Sequence, residues 1–127
     1  MINSTQFQGN LTRDPEITYT AANIAVLNAT LANTHKFTTD SGEQREETAF
    51  VGITMWGALA KSFAQFHRKG TPALVEGRLI TDTWADKETG AKKSKTKIRV
   101  QHWHFVGPKR DPIDPPQNNQ TPNVPFA

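Results

Sequence analysis

The chain has 127 residues, enough for one domain with a modest core, and carries a net charge of +3 with a pI near 9.4. That balance is compatible with a polyanionic partner. Cysteine is absent, which excludes disulfides and thiolate metal sites; no apolar run is long enough to span a bilayer, and no signal-like stretch follows Met1. A soluble, cytoplasmic protein is the expectation.

The elements read as follows in chain order. TQFQGNL (5–11) is a candidate strand despite Gln6 and Gln8. IAVLNATLAN (24–33) alternates, with Leu27, Ala29 and Leu31 on one face and Val26, Asn28 and Thr30 on the other. A long polar connection, THKFTTDSGEQREET (34–48), leads to the strand TAFVGITMW (48–56). There the odd positions Ala49, Val51, Ile53 and Met55 form an aliphatic face, while Phe50 and Trp56 lie on the other with Gly52 and Thr54 between them. GALAKSFAQFHRKG (57–70) has Leu59, Phe63 and Phe66 at helical spacing, and Gly70 is placed to end the helix. PALVEGRLITDTW (72–84) returns to a period of two, with Ala73, Val75, Gly77 and Leu79 inward. DKETGAKKSK (86–95) is a hairpin turning near Glu88-Thr89-Gly90, and KTKIRVQHWHFV (95–106) is the last strand. From Gly107 onward the chain holds six of its eight prolines and almost no apolar side chains before its last few residues. Residues 108–127 are therefore expected to be a disordered tail, leaving residues 1–107 as the domain.

Three strands, a helix and two strands predict an all-β fold. A five-stranded Greek-key barrel with one helix between its third and fourth strands is the OB-fold, which often binds single strands.

Phe50 and Trp56 are the first candidates for a site. They stand roughly 20 Å apart on one strand face at about 3.3 Å per residue, with small groups between them. Aromatic faces stack with bases for about 1–3 kcal/mol each whatever the base. Covering of that face by a second subunit or by the tail is the competing reading. Trp84 shares the parity of Arg78 and ends its strand where a basic arm begins. From Lys87 to Arg99 six cations (Lys87, Lys92, Lys93, Lys95, Lys97, Arg99) stand against Glu88. Lys95, Lys97 and Arg99 alternate against Ile98 and Val100, so they share one face. Such an arm is either a solvated hairpin or a nucleic-acid contact, and a Trp at its base favours the second. Phe37, after Lys36, either stacks on a base or anchors its loop. Trp103, near Phe105 and Val106, is expected to close the barrel. His102 and His104 share a strand face but lack a third ligand nearby, so no metal site is expected. His35 and His67 stand alone among polar residues. No nucleophile elbow, P-loop or paired carboxylates appear, so neither enzymatic activity nor a cofactor is expected.

The segments GNLTRDPEITYT (9–20), ATLANTHKF (29–37), FVGITMWGALAKSFAQFHRKG (50–70) and VEGRLITDTWAD (75–86) resemble the bacterial single-stranded DNA-binding protein family. The likeness covers about residues 5–106. Its most specific parts are the GNL-x-x-DPE opening, the WG-x-LA helix start and the KG-x-x-x-x-VEG-x-L step. The resemblance implies an OB-fold that assembles as a homotetramer, with a dimer as the alternative, and wraps single-stranded DNA without sequence preference. It further implies base stacking at Phe37, Phe50, Trp56 and Trp84. Phosphate contacts are implied for Arg68, Lys69 and the basic arm, to which Lys36 and Arg78 are added as neighbouring cations. The family's tail recruits replication and repair proteins through several acids followed by a terminal Pro-Phe. Here Pro125-Phe126 remain, the acids are missing, and Ala127 follows. Two further departures are Ile80, Asp82 and Thr83 where members carry basic residues, and Ser4, Gln6 and Gln8 in a first strand that is usually apolar. An OB-fold interaction subunit of the primosomal type, binding mainly protein partners, is the alternative function.

Overall fold

A computed structural model describes residues 1–108 and Pro112. The disordered tail expected over 108–127, with its partner-contact candidates Pro125 and Phe126, otherwise lies outside the described residues. The elements are β1 (Thr5–Leu11), β2 (Glu16–Tyr19), β3 (Ala25–Thr38), β4 (Gln44–Trp56), α1 (Gly57–Phe66), β5 (Pro72–Ala85) and β6 (Lys92–His104).

The sheet runs β1-β5-β6-β4-β3-β2, and β1 also pairs with β3 through Asn10↔Ala32 and Leu11↔Leu31. That extra pairing closes β1, β3, β4, β6 and β5 into a five-stranded barrel. The expected OB-fold is present, with α1 between the third and fourth barrel strands. The pairs are antiparallel except β4 with β6, which run parallel through Gly52↔Lys97, Ile53↔Ile98 and Thr54↔Arg99.

Alternation delivers the core. Leu27, Ala29 and Leu31 of β3 meet Ile53 and Met55 of β4, Val75 of β5 and Ile98 and Val100 of β6 inside the barrel. Ala60 and Phe63 of α1 join that cluster, so the helix packs its apolar stripe on the barrel. Closing five strands around so small a core demands close backbone approach. At Gly77, beside a register shift in the β5–β6 pairing, an added Cβ would collide with the Arg99 carbonyl oxygen.

Several expectations need correction. The helix ends at Phe66 rather than Gly70, because His67 turns to an extended conformation. Its Nδ1 sits 2.8 Å from the Phe63 carbonyl oxygen, which only accepts, so Nδ1 donates and caps the last turn. His67 is therefore not a solitary polar residue. It is fully buried, and its ring stacks on Phe63 at 3.9 Å between centroids. Trp103 packs edge-on against Phe63, His67 and Phe105, and its Nε1 donates to Ser62 Oγ at 3.1 Å, so it does close this end of the barrel.

The polar connection 34–48 is mostly strand, because β3 and β4 continue past the barrel as a two-stranded arm that turns between Thr38 and Gln44. Ala49, expected in the core, is exposed on that arm. Leu79 has inward parity but is 44% exposed, since β5 passes the barrel rim there and begins a second arm. β2 is an additional strand, outside the five expected ones. Only Ile17 among its four residues packs on the core, which is too little to register as alternation.

Candidate nucleic-acid interface

Residues directly paired across a ladder project to the same face of the sheet. The register therefore decides which side chains meet. On β4, Phe50, Gly52, Thr54 and Trp56 point outward because Ile53 and Met55 fill the core. Their β3 partners are Ala32, Thr30, Asn28 and Val26. On the other side, Gly52 and Thr54 pair with Lys97 and Arg99 of β6. β6 in turn sets Arg99 beside Arg78, Lys97 beside Ile80, Lys95 beside Asp82 and Lys93 beside Trp84. One outer face thus collects Phe50, Trp56 and Trp84 with Arg78, Lys93, Lys95, Lys97 and Arg99. Lys36 continues it onto the β3–β4 arm, opposite Glu46.

The aromatics on this face meet solvent. Phe50 is 68% exposed, Trp84 47% and Trp56 41%. The ground between them is not bare. Lys95 and Lys97 lie over Gly52, whose notional Cβ would be 3.6 Å from Lys95 Nζ and 3.5 Å from Lys97 Cβ. Thr54 is only 3% exposed, although its parity is outward. The Arg99 guanidinium stands 5.2 Å from the Trp56 ring centroid, a cation–π contact. Lys97 contacts the Asp82 carboxylate, and Lys93 Nζ lies 2.8 Å from Asp86. The Lys93 bond, followed by backbone N–H groups of the turn, holds the Asp86 carboxyl below its ordinary range. Trp84, Lys95 and Lys97 border a groove of about 170 Å³ whose far bank is Arg13, Asn28 and Thr30.

The family model for the single-strand binding protein family matches residues 2–106. The chain belongs to this family. Among curated relatives, the single-stranded DNA-binding protein of Helicobacter hepaticus is 34% identical over 94% of this chain and 69% of its own length. Single-stranded DNA-binding protein 1 of Chlorobaculum tepidum is 38% identical over 85% of this chain and 67% of its own. A crystal structure of a deletion mutant of the Thermus aquaticus single-stranded DNA binding protein superposes with a TM-score of 0.69 at 30% identity. It covers 89% of this chain, which spans about half of that protein (51%). The complex of Plasmodium falciparum SSB with single-stranded DNA shares the fold, with a TM-score of 0.70 at 20% identity over 79% of this chain and 87% of that one.

Within this member of the single-strand binding protein family, not every site candidate falls on the shared face. Phe37 pairs with Arg45 and has the opposite parity to Phe50, so it lies on the other side of the β3–β4 arm. There it stacks against His35, 6.1 Å between centroids. Lys92 pairs with Ala85 and likewise faces away from Trp84 and Lys93. Arg68 and Lys69 sit in the turn after α1. Arg68 Nη1 donates to the Ala64 and His67 carbonyl oxygens at 2.9 and 3.1 Å, as a helix C-cap would, and the Lys69 N–H donates to Asp14 Oδ1 at 2.8 Å. Conversely, Arg13, Asn28 and Thr30 line the groove although nothing singled them out. The signal that places Asn28 is its pairing with both Thr54 and Glu16, and the second of those ladders went unread.

Nearer the start of β5 the outer surface is polar in another way. His104 does find an acid there, since its Nε2 lies 2.5 Å from Glu76 Oε1 of the neighbouring strand, where Glu76 is the ladder partner of His102. Gln6 Nε2 of β1 donates to the same carboxylate at 3.4 Å. These hydrogen bonds, His104 first, then Gln6, with the nearby imidazoles adding charge, hold Glu76 below its ordinary value of 4.5. Among the described residues no cluster of three such side chains is arranged to hold a metal ion, and no helix is long and apolar enough to cross a membrane.

Proposed function

We propose that this protein binds single-stranded DNA without sequence preference. Bases stack on Trp56, Phe50 and Trp84, and Lys36, Arg78, Lys93, Lys95, Lys97 and Arg99 neutralise phosphates. The observation that carries this reading is the register itself, which sets three exposed aromatics and a row of cations on one face of a curved sheet. Stacking needs only a π-face and is tolerant of sequence, whereas the cations add a salt-dependent term by releasing counterions. The curated relatives' name, single-stranded DNA-binding protein, points the same way. The protein holds strands unpaired during replication, repair and recombination in the cytoplasm, and does so by occupancy, without turnover. It works as a homo-oligomer, a tetramer or dimer, and Pro125-Phe126 of its tail offer a contact to replication and repair proteins.

Titration with oligo(dT) and with duplex DNA at two salt concentrations, followed by Trp fluorescence, tests the central point. Quenching by oligo(dT) that weakens with salt, with far poorer binding of duplex, is the expected result. Equal affinity for duplex, or no binding, would overturn the reading. Light scattering in the same buffers gives the assembly.

A further inference from the structure

Asp82 stands on the binding face, where it pairs across the ladder with Lys95 and its carboxylate contacts Lys97 Nζ. Lys97 is the more enclosed partner, its side chain 19% exposed against 50% for Asp82. Its stem crosses Gly52, on the floor between Phe50 and Trp56. The cation best placed to meet a phosphate between the two stacking rings is therefore already neutralised from within the chain.

We propose that Asp82 is an intramolecular stand-in for a DNA phosphate, a positioning residue that holds Lys97 over Gly52 and must be displaced when the strand binds. The inference rests on the reading of this face as a single-strand platform. A phosphate arriving at Lys97 sheds its own condensed cation, but the freed Asp82 carboxylate draws a cation in its place, so the net release there is small and the attraction is offset by the broken ion pair. Asp82 thereby lowers affinity and flattens its salt dependence. A strand is held by stacking more than by charge, and is released more readily at low salt than the count of lysines implies.

The test compares wild type, Asp82→Asn, Lys97→Met and the double variant in the full chain, each checked for unchanged thermal unfolding. Each is titrated with oligo(dT) between roughly 50 and 200 mM salt. Asp82→Asn is expected to bind several-fold more tightly at low salt, with a log K against log salt slope steeper by about 0.7, the value for one phosphate on a single strand. In the Lys97→Met background the same substitution is expected to change little, because no cation is left to release. An equal gain in both backgrounds would overturn the proposal, since Asp82 would then act only by repelling DNA. No gain in either would overturn it as well. Failure of the wild type to bind oligo(dT) would remove the platform reading itself, and that result is visible before any variant is compared.

Discussion

The two arms that leave the barrel are the same object built twice, a two-stranded antiparallel ribbon with a polar tip, yet they carry opposite chemistry. Between Thr34 and Thr48 the β3–β4 arm sets four acids (Asp40, Glu43, Glu46, Glu47) against Lys36 and Arg45. Between Asp82 and Lys97 the β5–β6 arm sets five lysines (Lys87, Lys92, Lys93, Lys95, Lys97) against Asp82, Asp86 and Glu88. Their aromatics differ in facing too. Trp84 shares the face of Trp56, whereas Phe37 looks out from the reverse of its own arm. An exposed ribbon has two wet faces, so composition alone does not say which side chains share one; parity and register do.

The largest way to break the comparison is to unseat an arm at its root. Gly77 joins the barrel to the β5–β6 arm, and a methyl there meets the Arg99 carbonyl. Gly77→Ala is expected to cost about 3 kcal/mol, the upper range for overpacking, seen as a lowered midpoint in denaturant. Gly52→Ala meets Lys97 Cβ at an ordinary 3.5 Å and is expected to unfold close to wild type. Similar losses at both positions would mean that the close approach at Gly77 is not what constrains it.

Stacking comes next. Trp56→Ala and Trp84→Ala are each expected to weaken oligo(dT) binding by about 1–3 kcal/mol. Phe37→Ala, on the reverse of its arm, is expected to cost less than either. A loss at Phe37 equal to that at Trp84 would show the strand passing around the β3–β4 arm to use both of its faces. Charge gives a finer contrast. Lys95→Met is expected to flatten the salt slope by about 0.7, while Lys92→Met, one parity step from Lys93 on the same ribbon, is expected to leave it near wild type. Equal slopes for the two variants would mean that the arm acts as diffuse charge rather than through one face.

Much of this is legible in the sequence. The barrel strands follow from period-two alternation, and the same alternation put Phe50 and Trp56 outside and Lys95, Lys97 and Arg99 together. Hidden were features that depend on where one strand stops relative to another. Phe37 and Phe50 lie on different strands, so their relative facing follows from the pairing Ala32↔Phe50, which no composition rule supplies. Leu79 has a core residue's parity, yet the barrel ends beneath it. His67 reads in the sequence as a polar residue in a polar stretch, whereas its ring completes an aromatic cluster whose other members are Trp103 and Phe105, at the far end of the chain's last strand, as well as Phe63 of α1. Side-chain occupation of the face, Arg99 on Trp56 and Lys97 on Asp82, is invisible to any pattern, because it depends on rotamers chosen by neighbours.

The smallest expected effect lies away from both arms, at Glu76. Hydrogen bonds from His104 and Gln6 hold its folded-state pKa below the ordinary 4.5, so folding favours its ionised form. The stabilisation is complete above that ordinary value, where the unfolded chain is ionised too, and disappears as pH falls through the lower folded-state value. Glu76→Gln should therefore lower the thermal midpoint slightly at neutral pH, with the gap to wild type closing as the solution is acidified below about 4.5. A gap that persisted unchanged into strong acid would mean that Glu76 contributes by packing rather than by charge. Because the Glu76 carboxylate is engaged by His104 and Gln6 and by none of the cations assigned to phosphate, the same variant should leave the salt slope for oligo(dT) unaltered. A change in that slope would mean that Glu76 bears on the cation row through Arg78, two residues along β5, and that the difference between the arms cannot be read from the arms alone.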